Sequence, residues 1–192
     1  MENILPGQFD CVKAVAELFV LLYNRLTMKH LWTPWRMPYL RGAEEHDNDG
    51  CVFCIGAVED DASVHILFRA KHCYVILNRF PYNTGHLMVI PYAHHSSLEQ
   101  LDSATLDEMM TLAQLSVRVL RQAYDPQGFN LGMNIGDAAG AGVAEHLHLH
   151  VVPRWAGDTN ALTVVSQTRI IPEWLDQMYD RLRPLFDQIR AE

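Results

Sequence analysis

The sequence predicts an α+β domain: an antiparallel sheet of five strands, a long helix in mid-chain and a second helix at the C-terminal end. Three observations point there. Short aliphatic or alternating runs bounded by turn residues recur from position 64 to position 155, the pattern of half-buried strands. Residues 103–124 carry helical periodicity between a start and a stop signal. The helical patterns are segregated between hairpins rather than alternating with each strand, which favours an antiparallel sheet.

Taken in order, residues 11–27, "CVKAVAELFVLLYNRLT", read as a short amphipathic or apolar helix interrupted by Lys13, Glu17 and Arg25. "LWTPWRMPYLRG" (31–42) holds two prolines and three aromatic residues and reads as an extended, packed arm. A solvated loop leads to "CVFC" (51–54). "VHILF" (64–68), "CYVILN" (73–78) and "HLMVIPY" (86–92) are three expected strands, the last two joined by the turn-forming "RFPYNTG". The long helix takes Ser103 or Asp102 as its N-cap and stops at Asp125-Pro126. "GFNLGMNIG" (128–136) is the fourth strand and "EHLHLHVVPRW" (145–155) contains the fifth. "PEWLDQMYDRLRPLFDQIR" (172–190) closes as a helix expected to bend at Pro184.

The chain of 192 residues suits one elaborated domain, and its 49% hydrophobic content is ample for a core. A net charge of −8 argues against a broad basic surface for duplex nucleic acid. The apolar run at 11–27 is too short to span a bilayer, and Glu2 and Asp10 stand where a signal peptide would be basic. A cytoplasmic protein with no membrane partner is expected. Four cysteines, Cys11, Cys51, Cys54 and Cys73, do not make a secreted disulfide framework. Cys51 and Cys54 could be a redox pair, but no thioredoxin-like βαβ pattern surrounds them. A zinc knuckle is the better reading, given two further ligands.

The chemistry gathers at residues 136–155. In a strand, residues two apart share a face about 6.5–7 Å apart. His146, His148 and His150 would then form one ladder, backed by Leu147, Leu149 and Val151. One such histidine would be unremarkable as a hydrogen-bonded side chain. Three on one face are costly to bury unless partners or a ligand compensate. The stretch "GDAAGAGVAE" (136–145) feeds directly into them, and its small residues let backbone N–H groups approach an anion. A neutral imidazole beside an anion cradle can attack phosphorus, provided its other nitrogen is held by an acceptor.

His146-Leu-His148-Leu-His150-Val-Val matches the histidine-triad signature, and the chain resembles the bacterial branch related to diadenosine tetraphosphate phosphorylases and hydrolases. "ILNRFPYNTGHLMVIPYAHH", "GFNLGMNIGDAAGAGVAEHLHLHVVPRWAGDTN" and "LWTPWRMPYL" carry the resemblance beyond the triad. It implies a HIT-like fold and a nucleotidyl-histidine intermediate on His148, with His150 at the phosphates or leaving group and His146 completing the triad. It implies that Asn78 and His86 line the nucleotide pocket, that Asn134 and the loop Gly140-Ala141-Gly142 border the phosphates, and that Trp155 shapes the substrate site. Read alone, Asn78 could equally cap a turn and Trp155 could be a packed aromatic. The resemblance also implies structural zinc on Cys51, Cys54, His94 and His146, with His95 competing for the third place, and a homodimer.

Dinucleoside polyphosphates are the substrates implied first, with nucleoside phosphoramidates or adenylates as the alternative and a non-catalytic nucleotide-binding regulator as the other. The phosphorylase branch tends to carry Gly-Ser where this chain has Ala141-Gly142, which points to water alongside phosphate as acceptor. The resemblance starts at "MKHLWTPWRMPYL". Residues 1–27 are therefore expected to be an extension, from a misassigned start in preference to an added helix, and 28–192 the working domain with its knuckle and C-terminal helix.

Overall fold

The computed structural model describes residues 50–54, 60–158 and 171–190. The expected extension at 1–27, the arm at 31–42 and Cys11 lie outside these residues. The elements in chain order are α1 (Asp61–Val64), β1 (Ile66–Arg69), β2 (Cys73–Leu77), β3 (Leu87–Pro91), α2 (Ser103–Tyr124), β4 (Gly128–Met133), β5 (Leu149–Arg154) and α3 (Leu175–Arg190). The strands form one five-stranded sheet in the order β1-β2-β3-β5-β4, every neighbouring pair antiparallel. The predicted α+β architecture is therefore the observed one. Among the described residues, no helix is long and apolar enough to cross a membrane.

Four boundaries differ from expectation by more than one residue. The first strand begins at Ile66 because the one-turn helix α1 occupies Asp61–Val64 and ends on His65, whose φ of 61° breaks the run. The fourth strand stops at Met133, whose partner Leu149 is the first residue of β5. The fifth strand therefore starts at Leu149, and of the three histidines only His150 lies in it. His146 and His148 belong to the segment leading into the strand, tied by Leu147 N–H donating to the carbonyl of His95 at 2.7 Å. The last helix begins at Leu175 rather than at Pro172 and runs unbroken through Pro184.

Period-two alternation divides the sheet into two faces. Val75, Leu77, Leu87, Val89, Leu149 and Val151 face α2 and α3. There they meet Met109, Leu112, Val119 and Leu120 of α2, together with Met178, Leu182 and Phe186 of α3. The i, i+3, i+4 and i+7 spacing within α2 lines these side chains on one stripe, and each buried aliphatic contributes about 1.5–3 kcal/mol. Tyr74, Ile76, Met88 and Ile90 point to the opposite face and pack with Ile66 and Phe53. Because Met88 stands opposite His150, the histidine shares that second face.

Local features lock the faces together. Asp102 caps α2 by accepting from Thr105 N–H at 2.7 Å, which settles the cap on Asp102 rather than Ser103. Glu108 of α2 accepts from the N–H groups of His72 and Cys73 at 2.6 and 2.7 Å, pinning the β1–β2 turn to the helix. Gly85 ends the loop before β3 with φ 73°, and a Cβ there would stand 3.0 Å from Leu120 and 3.1 Å from Tyr124. Only glycine meets both demands without strain.

Candidate active site

The second face of the sheet carries His150 on β5, with a relay of fixed protons behind it. Tyr82 N–H donates to Nδ1 of His86 at 3.0 Å, so that nitrogen is an acceptor. The proton of neutral His86 then sits on Nε2, 2.9 Å from Nδ1 of His150. His150 accepts there and carries its own proton on Nε2. His86 has no exposed surface. It is the buried partner of His150 Nδ1.

His148 is held by a different acceptor. Its Nδ1 lies 2.8 Å from the main-chain oxygen of His146, so Nδ1 donates and the lone pair resides on Nε2. Its ring stands 4.8 Å from that of His150 at an interplanar angle of 81°. Burial pushes the basicity of His148 down, with the His146 carbonyl working in the opposite sense. An imidazole held in one tautomer with its lone pair on Nε2 is chemically able to attack phosphorus.

His146 turns the other way. Its Nε2 donates to the carbonyl of Pro91 at 2.9 Å, which leaves Nδ1 to face Cys51 Sγ at 3.3 Å and Cys54 Sγ at 3.6 Å. Cys54 Sγ also lies 3.2 Å from Nδ1 of His94. The donor atoms of Cys51, Cys54, His94 and His146 all lie within 4.8 Å of one another. A tetrahedral ion with bonds of about 2.0–2.3 Å spaces its sulfur and nitrogen ligands in this way. Burial and the neighbouring Cys51 raise the Cys54 thiol, and a bound cation would favour its thiolate form. Four protein donors would close the coordination sphere of such an ion, with the Pro91 carbonyl as the outer partner of the His146 imidazole. His94, not His95, joins the set.

A family model described as the HIT domain matches residues 59–157. The chain belongs to the histidine triad family. It is 41% identical over 159 residues to an AP-4-A phosphorylase of Mycobacterium tuberculosis, covering 79% of this chain and 81% of that one. Among solved structures, a Zn-bound histidine triad family protein from Mycobacterium smegmatis superposes with TM-score 0.59 at 28% identity, over 74% of this chain and 96% of that one. A hypothetical histidine triad nucleotide-binding protein from Sulfolobus tokodaii gives TM-score 0.58 at 25% identity, over 73% and 94%.

The other expected residues of this HIT domain divide into three groups. Asn78 does cap a turn, its Oδ1 accepting from Phe80 N–H at 2.9 Å, while its amide nitrogen faces Nδ1 of His86 at 3.3 Å. Asn134 donates to the Gly140 carbonyl at 3.4 Å and so shapes the loop that includes Ala141 and Gly142. Gly140 itself has φ 81° and ends the short 3-10 turn Asp137–Ala139. Trp155 lines a cavity of about 410 Å³ with Asn83, Thr84, Tyr124, Asp158 and Glu173. No triad histidine lines that cavity, so Trp155 and the ladder are not brought together there.

Phe53 is the residue that sequence reasoning missed. It lies between the two cysteines, 9% exposed, with its ring centroid 5.0 Å from that of His148 and 5.8 Å from that of His146. Its carbonyl accepts from the buried Tyr74 hydroxyl at 2.7 Å. The available signal was its position: once both flanking cysteines and His146 share a site, the aromatic between them must lie beside the ladder.

Proposed function

We propose that this chain is a nucleotidyl hydrolase or transferase acting on dinucleoside polyphosphates, with Nε2 of His148 as the nucleophile. One observation carries the reading: Nδ1 of His148 donates to the His146 carbonyl at 2.8 Å inside a buried site that depresses the ring's basicity. The 41% identity to an AP-4-A phosphorylase supports the substrate class.

In the first step Nε2 of His148 forms a bond to the α-phosphorus. The P–O bond to the polyphosphate breaks, and its electron pair leaves on the departing oxygen. Positive charge develops on the His148 ring and is stabilised by the Nδ1–H bond to the His146 carbonyl. Nε2–H of His150, oriented by His86, donates to the charge on the phosphate oxygens. Water or phosphate then attacks phosphorus, loses a proton to solvent, and returns the P–N electron pair to His148.

Cys51, Cys54, His94 and His146 would hold a zinc ion whose contribution is rigidity, since the closed set leaves no position for substrate. The same reading takes the protein as a cytoplasmic homodimer. In its support, β4 is an edge strand, with Leu131 45% and nearby Ile135 43% exposed.

The test is incubation with diadenosine tetraphosphate, with and without phosphate, followed by product analysis. Hydrolysis gives AMP and ATP, phosphorolysis gives ADP and ATP, and His148→Ala should bind nucleotide yet lose turnover by about 10³-fold or more. Near-normal turnover in His148→Ala, or a wild type that binds the compound without cleaving it, sinks the reading.

A further inference from the structure

We propose that the Cys2His2 site is a positioning device for the transfer step: through His146 and Phe53 it sets the tautomer and aim of His148. The inference rests on His148 being the nucleophile, and it assigns to the knuckle a kinetic role beyond holding the fold.

The need for such a device follows from where β5 begins. Sheet pairing starts at Leu149, whose partners are Val89 and Met133. His148 therefore stands one residue ahead of the ladder, where strand hydrogen bonding does not set the backbone. What sets it is the Leu147 N–H bond to the His95 carbonyl at 2.7 Å together with the grip on residue 146. The ring of His146 is fully buried and gripped at both nitrogens, by the Pro91 carbonyl at 2.9 Å and by Cys51 Sγ at 3.3 Å. Its main-chain oxygen is the acceptor of His148 Nδ1–H. A shift of the ring moves the peptide attached to it, and with it the acceptor that selects the Nδ1–H tautomer.

A second route runs through side chains. Phe53 is carried on the two-residue link between Cys51 and Cys54, and its ring packs on that of His148 at 5.0 Å. The Phe53 main chain is fastened to the second face of the sheet by the Tyr74 hydroxyl and to the knuckle by its own N–H donating to Cys51 Sγ at 3.4 Å. Holding the two cysteines together thus holds one wall against the nucleophile. Ligation of Cys51, Cys54 and His146 by one ion would constrain both routes at once, so losing it should change catalysis before it changes nucleotide affinity.

The experiment compares the zinc-loaded full chain with the same protein after chelation, its folding verified by circular dichroism. Three quantities are read: AMP affinity, the single-turnover rate of nucleotidyl-histidine formation after alkaline quench, and the histidine ¹⁵N shifts that report which ring nitrogen of His148 is protonated. The zinc form should show one tautomer, protonated on Nδ1. The chelated form should show a mixture, with adduct formation slower by about tenfold or more, the size of one charge-assisted hydrogen bond, and AMP affinity changed far less. An unchanged tautomer and rate in a folded, metal-free protein overturns the proposal while leaving the proposed function intact. Failure of the parent reading shows separately, as adduct formation that persists in His148→Ala. Where chelation unfolds the chain, cadmium-loaded protein replaces it. The longer metal–sulfur bonds should shift the His148 signals and slow the adduct, and identical behaviour to the zinc form refutes the inference.

Discussion

Nε2 of His86 lies 2.9 Å from Nδ1 of His150, and the Tyr82 N–H on the far nitrogen of His86 gives that contact its direction. A fully buried histidine thereby fixes which nitrogen of its neighbour carries the proton. His86→Ala should lower kcat by about 10–100-fold, the scale of removing an orienting partner from a catalytic imidazole. His86→Gln, which can present an N–H at the same depth, should recover part of the loss. Steady-state kinetics on both variants check this, and equal activity of His86→Ala and wild type would remove His86 from the machinery.

The pH profile follows from the burial of His148. A histidine held below its ordinary value stays unprotonated to lower pH than one in water, so Nε2 keeps its lone pair through pH 6.5. Adduct formation by His148 should hold its rate as pH falls through 6.5 and decline only below it. The stability effect has the matching sign. The unfolded chain takes up a proton at this position before the folded one does, so this contribution is whole above 6.5 and is lost as pH falls towards the lower folded value. Single-turnover rates and denaturant midpoints between pH 5 and 8 test both; a rate that halves already at pH 7 would contradict the first.

Purified protein should carry about one zinc per chain by elemental analysis, as a closed four-donor site requires. Cys51→Ser should abolish that zinc and lower the melting temperature, because Cys51, Phe53 and His146 are fastened through the same site. Metal-free wild type with unchanged melting behaviour would dismiss the zinc reading.

Without added phosphate the wild type should release AMP, since Ala141-Gly142 offers no side-chain hydroxyl to select phosphate over water. Gly142→Ser places a hydroxyl donor in the loop. The ADP-to-AMP ratio at fixed phosphate should rise by about tenfold, corresponding to one hydrogen bond to a charged group. Strict phosphate dependence of the wild type would show that the hydroxyl is dispensable.

Gly85→Ala combines a positive φ with a Cβ 3.0 Å from Leu120 and 3.1 Å from Tyr124. It should destabilise the fold by about 1–3 kcal/mol. A chemical denaturation curve within 0.5 kcal/mol of wild type would contradict it.

Period two made the sheet legible. Leu147, Leu149 and Val151 pack towards the helices as their alternation with His146, His148 and His150 requires. The cysteine pair was legible through its donor chemistry, and His94 only through the family resemblance. Strand ends were not, because pairing partners set them: β5 starts where Val89 and Met133 meet Leu149, and nothing local to His148 marks that limit. The role of His86 was hidden too. It depends on a backbone N–H from Tyr82 and a ring 64 positions away. Phe53 reads locally as an ordinary apolar residue, and only the closing of the knuckle brings it to His148.

The two-faced sheet means that β5 answers to two masters within six residues. Leu149 and Val151 contribute to the helix-side core, while His150 between them faces the site. Tolerance to substitution along this strand should therefore alternate in kind as well as degree. Changes at one parity would yield little folded protein, whereas changes at the other would yield abundant, well-folded and inactive protein. A library scored separately for abundance and for turnover would separate them, and the helix-side face could be redesigned for heat resistance with the reacting groups left untouched.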